Sequence, residues 1–204
     1  MYVPKLFNVT DLDEIHAFIE ANSFATLVTT EKGRPIATHL PLEIKKQGED
    51  YYLTGHLAYG NRQWRTFETE VLAIFQGPDA YISSSWYEQE EVPTWNYQAV
   101  HVYGQATIIE KKELIEDLTL MLKKYEENRE HPVLWETLPS ELLEKELKGI
   151  VGFKIKVNEI QAAYKLSQNR NEKDFRNIIE QLRFEKSNPK SEQIAKEMDK
   201  KLES

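Results

Sequence analysis

The chain contains no cysteine. Disulfides, thiolate metal ligands and cysteine nucleophiles are therefore excluded, and the composition suits a reducing, cytoplasmic setting. No uninterrupted apolar run approaches the ~20 residues of a membrane span, so no membrane association is expected. The opening MYVPKLFNVTDLDE has no basic segment followed by an apolar one, and a signal peptide is not expected. There is no Gly-x-Gly-x-x-Gly and no phosphate-binding P-loop motif, which argues against a Rossmann site or a P-loop NTPase. The five histidines are dispersed and form no His-x-His or His-x-x-x-His pair, so no metal centre is expected. Ser84 lacks the Gly-x-Ser-x-Gly elbow, and no carboxylate is placed by sequence to orient His101. No catalytic residue is assigned.

Positive charge is also short. Lys and Arg number 26 against 34 Asp and Glu, for a net charge of −8. A whole-surface attraction to nucleic acid is not expected, and DNA contact would need a local basic patch. The tail does not supply one. Lys186, Lys190, Lys196, Lys200 and Lys201 are offset by Glu192, Glu197, Asp199 and Glu203, the pattern of a mixed-sign helix.

What is present is a packed chain of 204 residues, 40% hydrophobic and 29% charged, enough for one substantial domain with a small appendage. Thr10, with Asp13 three residues on, predicts the cap of a helix over 11–21. Short β-branched and apolar runs follow at 24–30, 36–44 and 51–56, joined by polar turns at 31–35 and 45–50. Residues 61–68 predict a short helix capped by Asn61. A strand at 71–76 should end at Gly77-Pro78, and another starts at Ala80. The longest strand runs over 95–109. Leu114, Ile115, Leu118, Met121, Leu122 and Tyr125 share one face of a helix over 111–127. Residues 140–148 form a second helix, and a last strand covers 150–157. Phe175, Ile178, Ile179 and Leu182 mark a helix after Asn171. A weakly apolar one follows over 191–203, with Ile194, Ala195, Met198 and Leu202 to bury. Many short strands with later helices predict an antiparallel barrel or sandwich, mainly β with flanking helices.

The segment from Tyr81 to Gly104, YISSSWYEQEEVPTWNYQAVHVYG, holds two of the four Trp and four of the ten Tyr. Aromatic rings interleaved with Ser83 to Ser85, Asn96 and His101 suit a pocket for a flat, polar-edged ligand, as well as an ordinary aromatic strand. Asn61 with Arg62 and Arg65 can make an anion site at a helix start, or a plain cap beside two solvated arginines. His39 and His56 lie on neighbouring predicted strands, with His39 on the face of Pro41 and Glu43.

The strings THLPL, GHLAYGNRQW, YISSSWY, VPTWNYQAVHVYG and KLSQNRNEKDF resemble the PaiB family, over about residues 2–182. That resemblance implies a split β-barrel similar to pyridoxamine-phosphate oxidase, binding FMN in a groove of a homodimer. It implies flavin contacts from Thr38, His39, Leu40, Pro41, His56, Asn61, Arg62, Gln63 and Trp64. Trp86, Trp95 and Asn96 would come from the partner, with Arg170 as a further contact. Residues 1–166 would form the barrel with inserted helices, and 167–204 a helical extension packed on it. The family function is negative transcriptional regulation of protease synthesis and sporulation, with promoter DNA as a partner. An FMN-dependent oxidoreductase and a haem-binding split-barrel protein are the alternatives that the same barrel hosts. The chain departs from the family pattern at three places. GHLARANPQW becomes GHLAYGNRQW, so Tyr59, Gly60 and Arg62 replace Arg, Ala and Pro. Ser84 replaces a Pro, and the loop before VPTWNY is short and acidic.

Overall fold

The structure is a computed structural model and describes residues 1–185 and 187–203; Lys186 and Ser204 lie outside it, as does the side chain of Glu203. Its strands are β1 (Asn8–Val9), β2 (Phe24–Glu31), β3 (Arg34–Pro41), β4 (Glu43–Gln47), β5 (Asp50–Ala58), β6 (Val71–Ile82), β7 (Thr94–Ile108) and β8 (Ile150–Lys165). The helices are α1 (Leu12–Ala21), α2 (Lys111–Glu126), α3 (Ser140–Leu147), α4 (Glu172–Phe184) and α5 (Ser191–Glu203). The strands hydrogen-bond in the order β3-β2-β6-β7-β8-β5-β4, with β1 added on β8. The pairings β1–β8, β2–β3, β2–β6, β4–β5 and β5–β8 are all antiparallel. β3 and β5 lie at separate places in that order yet pack on one another. This is the antiparallel split barrel with flanking helices.

Two compact units are present. One comprises residues 1–22, 75–101 and 160–204, and the other residues 23–74 and 102–159. The first buries Phe18 and Ile19 of α1, Phe75 and Ile82 of β6, Tyr164 of β8, Ile178 and Leu182 of α4, and Ile194 and Met198 of α5. The second buries Leu27, Leu40, Leu53, Leu57, Phe67, Val102, Phe153 and Ile155.

Local chemistry accounts for most element boundaries. The β2–β3 hairpin closes at Lys32-Gly33, both with positive φ (50° and 81°). Two such residues are what a tight two-residue hairpin turn demands, and glycine takes the position at least strain. α1 is capped by Asp11 rather than Thr10, because Asp11 Oδ1 accepts from the amides of Asp13 (2.9 Å) and Glu14 (3.0 Å). The run expected at 36–44 divides at Leu42: its amide still donates to the Ser23 carbonyl at 2.9 Å in the β2–β3 register, whereas the next residue, Glu43, already pairs with Thr54 of β5. Glu43 therefore opens β4 and does not share a strand with His39. His39 and His56 are not on hydrogen-bonded neighbours, since among the described residues β3 pairs with β2, and β5 with β4 and β8. The last strand extends past the expected 157 to Lys165. Leu202 of α5 is 40% exposed, whereas Ile194, Ala195 and Met198 are fully buried.

Gly77-Pro78 does not end a strand. β6 runs straight through it to Ile82. The glycine is there for a different reason: a Cβ at Gly77 would lie 2.7 Å from Cε2 of Phe18. The Phe18 ring, itself packed on Tyr164 at a centroid distance of 5.2 Å, occupies that space. Gly77→Ala should destabilise the protein by about 1–3 kcal/mol, the usual range for overpacking a core. In a Phe18→Leu background the same change should be less damaging, because the two sites share the space. Urea unfolding of the four proteins measures the coupling.

Candidate functional site

The second unit brings together most of the residues singled out from THLPL and GHLAYGNRQW. After β5 the chain makes one short 3-10 turn, Arg62–Thr66. Asn61 caps it, its Oδ1 accepting from the Gln63 amide at 3.1 Å. The other end of the Asn61 side chain donates to Thr38 Oγ1 at 2.8 Å, and Thr38 donates to Gln63 Oε1 at 2.5 Å. Gln63 is buried, and its Nε2 donates to the Leu27 carbonyl at 3.0 Å. A second acceptor, the Ile36 carbonyl, lies 3.4 Å away. The three residues thus form a closed polar cluster that fastens the turn to β2 and β3.

The other members of the set differ in exposure. His39 Nδ1 lies 2.9 Å from Thr26 Oγ1, and its ring stacks near Phe24 at 6.4 Å with planes 20° apart. Trp64 donates its Nε1 to the Tyr59 carbonyl at 3.2 Å. The Arg65 guanidinium lies 4.8 Å from the Trp64 ring centroid. Arg62 is exposed and has no hydrogen bond or ion pair among the described residues. Leu40 is buried, Pro41 is half-buried, and Pro41 pairs with Phe24 in the β2–β3 register. His56 on β5 is half-buried, opposite Gly152. Burial pushes its imidazole pKa below the ordinary histidine range.

The first unit holds Trp86, Trp95, Asn96 and Arg170 in quite different settings. Trp95 is 52% exposed and meets Tyr81 edge-on at 5.8 Å. Trp86 is half-buried, and its carbonyl accepts from Asn177 at 2.6 Å. Asn96 is fully buried: its Nδ2 donates to Ser167 Oγ at 2.9 Å, and its Oδ1 accepts from the same hydroxyl at 3.1 Å. Met198 Sδ lies 3.5 Å from the same Nδ2. Arg170 pairs with Glu91 at 2.7 Å and lies over the Tyr87 ring at 4.5 Å. Its guanidinium is already matched within the chain by the acidic loop that precedes VPTWNY.

The donor set of the second unit fits FMN. An unpaired guanidinium beside a second arginine suits a phosphate dianion. The Trp64 indole offers an apolar face, and His39 and Thr38 carry groups that can bond to the polar edge of an isoalloxazine. Sequence reasoning missed Phe24 and Thr26, which flank His39. Their signal was the pairing register, Thr26 opposite His39, which strand alternation alone does not fix.

The architecture defines a split-barrel protein. A family model described as "Putative FMN-binding domain" matches residues 1–159, and the chain belongs to that family. It is 64% identical over 204 residues to "Protease synthase and sporulation protein PAI 2" of Bacillus subtilis (strain 168), across 99% of this chain and 98% of that one. The PaiB resemblance read from the motifs is thereby established. Among solved structures, the flavocytochrome Anf3 from Azotobacter vinelandii superposes with a TM-score of 0.63 at 17% identity, over 86% of this chain and 78% of its own. The FAD and heme binding protein from Mycobacterium smegmatis gives 0.59 at 14%, over 78% and 73%. At such identities the two likenesses show the fold alone. No helix among the described residues is long and apolar enough to cross a membrane.

Two outcomes are expected. Gln63→Ala strands the Thr38 hydroxyl and the Leu27 carbonyl and should lower stability by about 1–3 kcal/mol, the range for an unsatisfied buried group. Thermal unfolding with and without FMN measures it, and flavin affinity should fall in parallel. The second concerns pH. His56 has a depressed pKa when folded, so the unfolded chain takes up the proton first as pH falls. Stability from neutral His56 is therefore present above the ordinary histidine pKa of 6.5 and lost below it. His101 acts with the same sign, through burial and then the positive N-terminal amine. Denaturation midpoints between about pH 7 and about pH 5 should drop less steeply in His56→Gln than in the parent.

Proposed function

We propose that this protein is a cytoplasmic negative regulator of protease synthesis and sporulation genes, built on an FMN-binding split barrel and acting as a homodimer. The observation that carries the reading is the 64% identity to the Bacillus protein over nearly the full length of both chains. That relative's name supports protease production and sporulation as the processes concerned. The negative, transcriptional direction follows from the PaiB resemblance. FMN would rest against the Trp64 indole, with its phosphate toward Arg62 and Arg65 and its ring edge toward Thr38 and His39. The cofactor supplies a redox-active, light-absorbing ring; the chain supplies orientation and charge. Trp86 and Trp95 of a second copy would complete the groove, and the half-exposed Trp95 and Tyr81 supply aromatic surface for that contact.

With a net charge of −8, direct DNA contact would have to come from a local basic patch. Gel-shift titration against promoter DNA at rising salt tests it, since a contact made through phosphates must weaken steeply with salt. The cofactor test is the visible spectrum before and after adding FMN. The expected result is saturable flavin binding, weakened about tenfold or more by Arg62→Glu through loss and reversal of a charge-assisted contact. Flavin binding with steady NADH or NADPH oxidation would instead favour an FMN-dependent oxidoreductase, and a Soret band a haem protein. Absence of binding by either cofactor would overturn the site.

A further inference from the structure

A groove of about 480 Å³ opens in the second unit, where the start of α2, the end of α3 and the start of β8 meet. Nothing in the flavin reading uses it. Ile108, Leu114, Leu147 and Val151 give it an apolar lining. Its openness has a visible cause in α3, which buries no residue although Leu143 and Leu147 recur at helical spacing. Of the apolar face on α2, only Leu114 is buried. The buried Leu114 of α2 and the half-buried Leu147 of α3 thus face one concavity.

Charge at the rim is lopsided. Lys111 and Lys148 both line the groove, and neither side-chain ammonium has an ion pair or hydrogen bond among the described residues. Three other lysines on or against α2 are matched, Lys154 with Glu113 at 2.9 Å, Lys124 with Glu43 at 2.6 Å, and Lys45 with Asp117, whereas Lys112, like the groove lysines, has no side-chain partner among the described residues. The groove has one carboxylate, Glu144, against its two cations. An apolar trough with a surplus cationic rim is complementary to a molecule with an apolar body and one negative end.

We propose that this groove binds a medium-chain fatty carboxylate. The chain lies against Leu114 and Leu147, and the carboxylate is held by Lys111 and Lys148. A groove of this volume falls within the range that encloses small ligands, roughly 300–1,000 Å³. The inference stands apart from the flavin reading, since it uses none of the residues assigned to FMN.

Isothermal titration of the full chain with decanoate, and with decanol as its uncharged counterpart, tests it. Saturable decanoate binding at one per chain is expected. In Lys111→Gln/Lys148→Gln, decanoate should bind about fivefold more weakly, the effect of two partly exposed ion pairs. Decanol should be unaffected. Glu144→Gln should tighten decanoate binding. The three substitutions are at exposed positions, and an unchanged urea midpoint confirms that the variants fold. No saturable decanoate binding would overturn the proposal, as would equal affinity of parent and double variant. Occlusion of the groove by a second copy would show as binding that appears only on dilution to monomer, and that outcome would also overturn it.

Discussion

One buried side-chain amide, that of Gln63, organises the region on which the functional reading rests. It accepts from Thr38 of β3 and donates to the Leu27 carbonyl of β2, while its own main-chain amide is held by Asn61. A buried amide must satisfy both ends, and here each end is answered by a different part of the fold. The turn carrying Arg62 and Trp64 therefore cannot shift without breaking bonds inside the unit. Thr66 adds a second fastening, its hydroxyl 2.6 Å from that of Thr29. Exposed groups that recognise a ligand need such a rigid base, because looseness of an ångström is enough to lose orientation.

The other unit uses the same device differently. Asn96 lies in the aromatic strand β7, but its amide bonds to Ser167, a non-glycine residue with φ of +61°. That conformation is costly for a serine, and a reciprocal pair of hydrogen bonds to a buried amide offsets it. Met198 of α5 closes over the same amide. The C-terminal helices are thereby tied to β7 through polar as well as apolar contacts. α4 adds to this, with Asp174 accepting from the Glu88 amide at 3.0 Å and Lys173 paired with Glu88.

Much of this was legible in the sequence, and the misreadings have physical causes. Helices and strands with clear periodicity, such as α2, α4 and the long β7, fall within a residue or two of expectation. Asn61 was readable as a cap because an amide before a polar-apolar run has few other uses. Gly77-Pro78 misled because a glycine that relieves a ring contact looks the same in sequence as one that turns the chain. The division at Leu42 was hidden because an apolar residue continues the strand pattern even where the chain passes from pairing with β2 to pairing with β5. The commitment of Asn96 and Arg170 within the chain could not be seen either. Their partners, Ser167, Met198 and Glu91, are set by tertiary contact across long sequence separations.

The departures at Tyr59, Gly60 and Arg62 acquire a physical meaning from the geometry. Where the family pattern has arginine, Tyr59 instead packs its ring on Trp64 at 5.9 Å. Trp64 in turn lies under the Arg65 guanidinium. Tyrosine, indole and guanidinium form a short stack, in which an electron-rich face orders a cation that would otherwise wander in solvent. The neighbouring Arg62, placed where the pattern has proline, restores a free positive charge one turn away. The loss of one cation is thus accompanied by the ordering of a second and the gain of a third, all within one short loop. Local positive potential at that turn is maintained although the chain as a whole is acidic. Because fields fall off within roughly 8–10 Å in physiological salt, it is this local arrangement, rather than the net charge, that decides what anion the surface can hold.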